Sequence, residues 1–107
     1  MPLLGKVALV TGAARGIGRG VSLALAKAGA DICVTDQAST SQCRGVAAAI
    51  QALGRRAVAV QADISERADV ERMVAACTAS LGPVDILVAG AVTSVRQTPW
   101  HRTLRPI

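Results

Sequence analysis

The residues with the clearest chemical purpose in this chain are Thr11-Gly12-Ala13-Ala14-Arg15-Gly16-Ile17-Gly18. Glycines at this spacing let main-chain N–H groups gather around an anion. Gly12 can turn the backbone sharply, Gly16 opens room for a pyrophosphate, and Gly18 removes a side chain where a helix must press on a sheet. A helix starting here points the positive end of its dipole at the same anion. Arg15 is read as a solvated turn residue or a further phosphate ligand. No Gly-Lys-Ser/Thr follows, which excludes a P-loop for nucleoside triphosphates. A purely structural tight turn would contain the same glycines, so the elements on either side have to decide.

Those elements fit. Lys6-Val7-Ala8-Leu9-Val10-Thr11 is continuously apolar in its centre, as a parallel strand buried on both faces must be. After the glycines, Ile17, Val21, Ala24, Leu25 and Ala28 recur at helical spacing, and Gly29 supplies a stop. Ile32-Cys33-Val34-Thr35 is a second strand, ending on Asp36. A Ser-Thr-Ser cluster leads into a helix with Val46, Ala47, Ile50 and Leu53 on one face. Ala57 to Ala62 is a third strand, ending on Asp63. Ser65 is placed to cap a helix whose apolar residues are Val70, Met73, Val74, Cys77 and Leu81, and Gly82-Pro83 ends it. Val84 to Val88 is the fourth strand.

The alternation predicts an α/β fold: a parallel sheet in the order 3-2-1-4, with helices on both faces and right-handed crossovers. The dinucleotide-binding unit is expected over residues 1–92. Residues 93–107 read as an irregular or short-helical tail, and the sequence stops before a fifth strand. This order places the glycine turn at the point where the sheet changes direction, the usual crevice for a dinucleotide. Asp36 lies 24 residues beyond Gly12. A carboxylate there can accept both hydroxyls of an adenosine ribose, whereas capping or solvation is the bland alternative. Asp63 can take the adenine amino group while Ile64 packs on the ring, or it can cap the next helix.

Composition narrows the function further. Hydrophobic residues make up 51% of the chain, enough for a core, yet Trp100 is the sole aromatic residue. Small aliphatic side chains must therefore fill the interior. The net charge of +5 owes much to Arg96, Arg102 and Arg105, which follow residue 91 with no acid among them. No basic run interleaves with aromatics, so nucleic-acid binding is not expected. Cys33, Cys43 and Cys77 are far apart and lack a CxxC, as free thiols in a reducing compartment would be. No metal site is expected. No stretch reads as a signal peptide or reaches membrane-spanning length, and a cytoplasmic protein without a membrane partner is expected.

Taken together, these motifs resemble the short-chain dehydrogenase/reductase family over about residues 5 to 88. Thr11-Gly12-x-x-x-Gly16-x-Gly18 has that family's spacing. Val34-Thr35-Asp36, Ala62-Asp63-Ile64-Ser65 and Val84-Asp85-Ile86-Leu87-Val88 fall where its second, third and fourth strands end. The resemblance implies a Rossmann-like fold and hydride transfer between nicotinamide and an alcohol or carbonyl. It also implies cofactor contacts from Gly12, Arg15, Gly16, Ile17, Gly18, Asp36, Asp63 and Ile64. The acid at position 36 implies NAD over NADP, although Arg15 is a feature seen with NADP. Where the family has Asn-Asn-Ala-Gly to line the cofactor, this chain has Ala89-Gly90-Ala91-Val92. Trp100-His101-Arg102-Thr103-Leu104 resembles the W-x-R-x-L of the family's next helix.

The family's proton chemistry uses a Ser, a Tyr and a Lys four residues after the Tyr, all beyond the fourth strand. This chain has no Tyr, and its lysines are Lys6 and Lys27. No catalytic residue is assigned. Two functions follow as expectations: a cofactor-binding fragment of an oxidoreductase, or a non-catalytic dinucleotide-binding or interaction module. With no fifth strand, the fourth becomes a sheet edge guarded by Pro83 and Asp85 alone, and self-association through it is expected.

Overall fold

The computed structural model describes residues 1–14, 16–37 and 40–89. In chain order they form β1 (Val7–Thr11), α1 (Gly16–Lys27), β2 (Asp31–Asp36), α2 (Thr40–Ala52), β3 (Ala57–Gln61), α3 (Arg67–Leu81) and β4 (Ile86–Ala89). All strands pair in parallel, in the order β3-β2-β1-β4. Every residue of β1 is buried, because both of its faces are covered. Ala8, Val10, Ile32 and Val34 share one core with Ala26 of α1 and with Val46, Ala47 and Ile50 of α2. Val7, Leu9 and Cys33 share the other with Val70, Met73, Cys77 and Leu81 of α3. This is a Rossmann-like layering, with α1 and α2 on one face and α3 on the opposite face.

The phase of α1 differs from the apolar row read in the sequence. Its buried residues are Gly18, Ser22 and Ala26, whereas Ile17 is 82% exposed and Ala24 is also exposed. Small residues let the helix backbone approach the sheet closely, so the close-packing face is not the most hydrophobic one. Ser22 is tolerated there because its hydroxyl donates to the Gly18 carbonyl at 2.9 Å. Leu53 lies beyond the end of α2 and is 41% exposed, and Val74 is 37% exposed on α3.

Ser65 does not cap α3. Its main-chain N–H (2.9 Å) and its hydroxyl (2.6 Å) both donate to Asp63 Oδ1. The cap position falls on Glu66, which makes no side-chain capping bond. The three cysteines are free and buried. A hydrogen bond with Cys77, followed by burial, pushes the Cys33 thiol up, and burial does the same to Cys43. These two stay neutral thiols near pH 7 and act as small hydrophobes.

The two sheet edges are finished differently. On β3, Gln51 Nε2 donates to the Ala57 carbonyl at 3.1 Å and an Arg72 guanidinium nitrogen donates to the Gln61 carbonyl at 2.6 Å. Side chains thus occupy acceptors that an added strand would use. On β4, the exposed Asp85 bonds back to β1. Its carboxylate accepts from the Val7 N–H at 2.9 Å, and its own N–H donates to the Val7 carbonyl at 2.8 Å. Asp85 therefore locks the entry of β4 onto β1 and does not guard the outer edge, contrary to the sequence reading.

Candidate dinucleotide-binding site

The C-terminal ends of the strands come together because their register is level. Thr11 lies opposite Thr35 on one side and Ala89 on the other, and Asp36 lies opposite Gln61. The Thr11 hydroxyl adds a bond to the Val88 carbonyl at 3.4 Å, which ties the last residues of β1 to β4. Ala89 thus ends its strand beside the start of the glycine turn. Arg15, Gly90 and the tail from residue 91 lie outside the described residues.

Both Gly12 and Gly16 have a φ of +62°, a conformation that other residues adopt only with strain. At Gly16 an added Cβ would meet nothing within 4 Å, so the space over the turn is open to a ligand. At Gly18 an added Cβ would overlap the Gly12 carbonyl. Gly18 thus serves the packing of α1 against the turn, whereas Gly16 faces open space. The first turn of α1 itself carries no acidic residue. Ile17 stands at this rim with most of its surface exposed, where a ligand lying over the turn would cover it.

The turn and Asp36 are one construction. The Ala13 N–H donates to the Thr35 carbonyl at 3.0 Å, and the Ala14 N–H donates to Asp36 Oδ2 at 3.2 Å. The carboxylate is therefore tied to the glycine turn. Further along, the Ala62 N–H donates to the Asp36 carbonyl at 3.2 Å and leads to Asp63. Asp63 holds the turn before α3 through Ser65, and its own N–H donates to Asp69 Oδ2 at 2.9 Å. Ile64 is half-buried and packs against the α3 core.

Sequence reasoning missed the polar side chains between these two aspartates. Gln37 Nε2 donates to Asp63 Oδ2 at 3.4 Å, and Gln61 Nε2 donates to the Gln37 carbonyl at 3.1 Å. The Thr40 hydroxyl in turn donates to Gln61 Oε1 at 3.0 Å. Isolated glutamines at strand ends carry no periodic signal, so nothing in the sequence singled them out.

A glycine cradle at the switch point of a Rossmann-like sheet, with an acid fixed at the end of the second strand, defines a dinucleotide-binding class of protein. The chain belongs to the short-chain dehydrogenase family, whose model matches residues 6–104. It is 43% identical over 91 residues to the hydroxynaphthalene reductase arp2 of Aspergillus fumigatus, covering 85% of this chain and 33% of that protein. It is 44% identical over 91 residues to the short-chain dehydrogenase/reductase homolog YusS of Bacillus subtilis, covering 85% of this chain and 84% of that one. Thus it spans about a third of the length of arp2 but most of the length of YusS. Among solved structures, it is similar to a blue fluorescent protein from a metagenomic library in complex with NADPH, with a TM-score of 0.81 and 42% identity over 85% of this chain and 38% of that one. It is also similar to a 7α-hydroxysteroid dehydrogenase complexed with NADH, with a TM-score of 0.76 and 36% identity over 79% of this chain and 33% of that one.

Proposed function

We propose that this chain binds NAD, in preference to NADP, as the cofactor-binding part of a short-chain oxidoreductase. The observation that carries the reading is the bond from the Ala14 N–H to Asp36, which makes the phosphate cradle and the ribose acceptor one rigid rim. Gly12, Gly16 and the start of α1 would hold the pyrophosphate, Asp36 the adenosine ribose, and Asp63 and Ile64 the adenine. Ile17 and Ala89 would line the rest of the cofactor, while Arg15, a phosphate ligand or turn residue on the sequence reading, and Gly90 lie outside the described residues. Bound there, the nicotinamide would supply the hydride acceptor or donor. The unit doing this is residues 1–92, and a cytoplasmic setting fits its free thiols.

Hydride transfer needs a proton partner at the substrate oxygen, and no Tyr exists in this sequence to provide one. The chain by itself is therefore expected to bind without turning over. Purified chain titrated with NAD should give saturable binding, while incubation with NAD and a panel of secondary alcohols should yield no NADH absorbance above a protein-free control. Absence of saturable binding would refute the assignment. Turnover that disappears in His101→Ala would show an acid–base group of a different kind.

Self-association through β4 follows from the contrast between the edges. Ile86, Leu87 and Val88 are half-buried, and among the described residues β4 pairs only with β1. Asp85 is engaged with Val7, and among the described residues β4 itself, Ile86–Ala89, carries no charge to discourage pairing. Light scattering should show mass rising with protein concentration, and the urea midpoint should rise with it. A monodisperse monomer with a concentration-independent midpoint would contradict this.

A further inference from the structure

We infer that Gln61 is a specificity-determining residue for the cofactor, because its side-chain amide keeps the Thr40 hydroxyl turned away from a 2′-phosphate on the adenosine ribose. This rests on the reading that Asp36 receives that ribose. Gln61 closes β3 directly opposite Asp36. Its main chain is held, since its carbonyl accepts from an Arg72 guanidinium nitrogen at 2.6 Å. Its side chain reaches the residues that follow β2. Nε2 donates to the Gln37 carbonyl at 3.1 Å, and Oε1 accepts from the Thr40 hydroxyl at 3.0 Å.

The chemistry of the partners dictates which way this amide points. A carbonyl can only accept, so the nitrogen must face Gln37, and the oxygen is left for Thr40. A hydroxyl has one proton to donate, and that of Thr40 is directed at Gln61. One planar amide thereby sets the spacing between the residue after Asp36 and the first residue of α2. A ribose whose hydroxyls meet Asp36 carries its 2′-oxygen at the end of β2, beside these residues. A phosphate on that oxygen gains from each donor that can turn to it. Asp36 opposes the phosphate by charge, and Gln61 opposes it by holding a donor elsewhere. Gln61 is exposed, so its replacement changes this contact without opening the core.

The test is calorimetric titration of the full chain with NAD and with NADP, for wild type and three variants. Gln61→Met keeps the length of the side chain and removes both hydrogen bonds. It should tighten NADP binding by about three- to tenfold, the range set by one hydrogen bond, and NAD should gain less. Gln61→Glu still accepts from Thr40 and adds a negative charge, so it should weaken NADP more than NAD. The two changes thus move NADP in opposite directions, which general damage to the strand end cannot do. Adding Thr40→Val to Gln61→Met should cancel the gain, because the released hydroxyl is gone. Unchanged NADP affinity in Gln61→Met, parallel shifts of both cofactors, or a gain that survives Thr40→Val would overturn the role assigned to Gln61. A wild-type chain that binds neither cofactor, or prefers NADP, would overturn the NAD reading itself, and that result appears before any variant is made.

Discussion

Gly18→Ala is expected to destabilise the chain by about 3 kcal/mol or more, at the upper end of what overpacking a tight site costs. The new Cβ would overlap the Gly12 carbonyl oxygen, with the carbonyl carbon 2.7 Å away and Ala13 Cα 3.1 Å away. All three atoms are main chain and cannot rotate aside as a side-chain tip can. Relief requires lifting α1 off the sheet, which would also break the contact of Ser22 and Ala26 with the core. Against a net stability of about 5–15 kcal/mol for an ordinary domain, this is a large fraction. Gly16→Ala makes the informative comparison. Its Cβ meets open space, and the cost is the +62° backbone alone, roughly 1–2 kcal/mol. Urea unfolding followed by circular dichroism should rank wild type above Gly16→Ala, and Gly16→Ala above Gly18→Ala. Equal stability of Gly18→Ala and wild type would mean that α1 does not pack as described.

The same glycine shows what could be read in advance. A glycine-rich turn between an apolar strand and a helix is a local pattern, so the sharp turn at Gly12 and the close packing at Gly18 were legible. The strand order was legible too, because apolar runs ending on Thr11, Asp36 and Val88 fit a parallel sheet and crossover handedness limits the ways to arrange it. The phase of α1 was not, since packing through Gly18, Ser22 and Ala26 hides the buried face among weakly hydrophobic residues and leaves Ile17 outside. Ser65 was misplaced because α3 begins later, with Glu66 at the cap position, while the Ser65 N–H and hydroxyl are drawn to Asp63, two residues earlier. Asp85 and Gln37 act through partners 78 and 26 residues away, and separations of that size leave no local trace.

Asp36 is expected to set the choice of cofactor, with NAD bound at least about tenfold more tightly than NADP. Solved relatives hold both reduced forms, NADPH in one and NADH in another, so family membership does not make the choice. The local chemistry does. A carboxylate accepting ribose hydroxyls contributes roughly 1.5–3 kcal/mol, as charged hydrogen bonds do. A 2′-phosphate brought to the same carboxylate would repel it by as much as ~4 kcal/mol per unit charge pair at contact in an intermediate dielectric. Exposure of the strand ends and added salt reduce that figure, but its sign is fixed. The Ala14 N–H keeps the carboxylate at the cradle, so the charge cannot turn away from the phosphate without giving up a hydrogen bond.

Parallel titration of wild type and Asp36→Ala with NAD and NADP, at one salt concentration, tests this directly. Because Asp36→Ala also removes the acceptor of the Ala14 N–H, general damage to the turn would weaken both cofactors together, whereas loss of the charge acts on their ratio. The wild-type chain should favour NAD, and Asp36→Ala should lose NAD affinity while the gap to NADP closes. Tighter binding of NADP by the wild-type chain, or an Asp36→Ala variant with unchanged NAD affinity, would contradict the site as assigned.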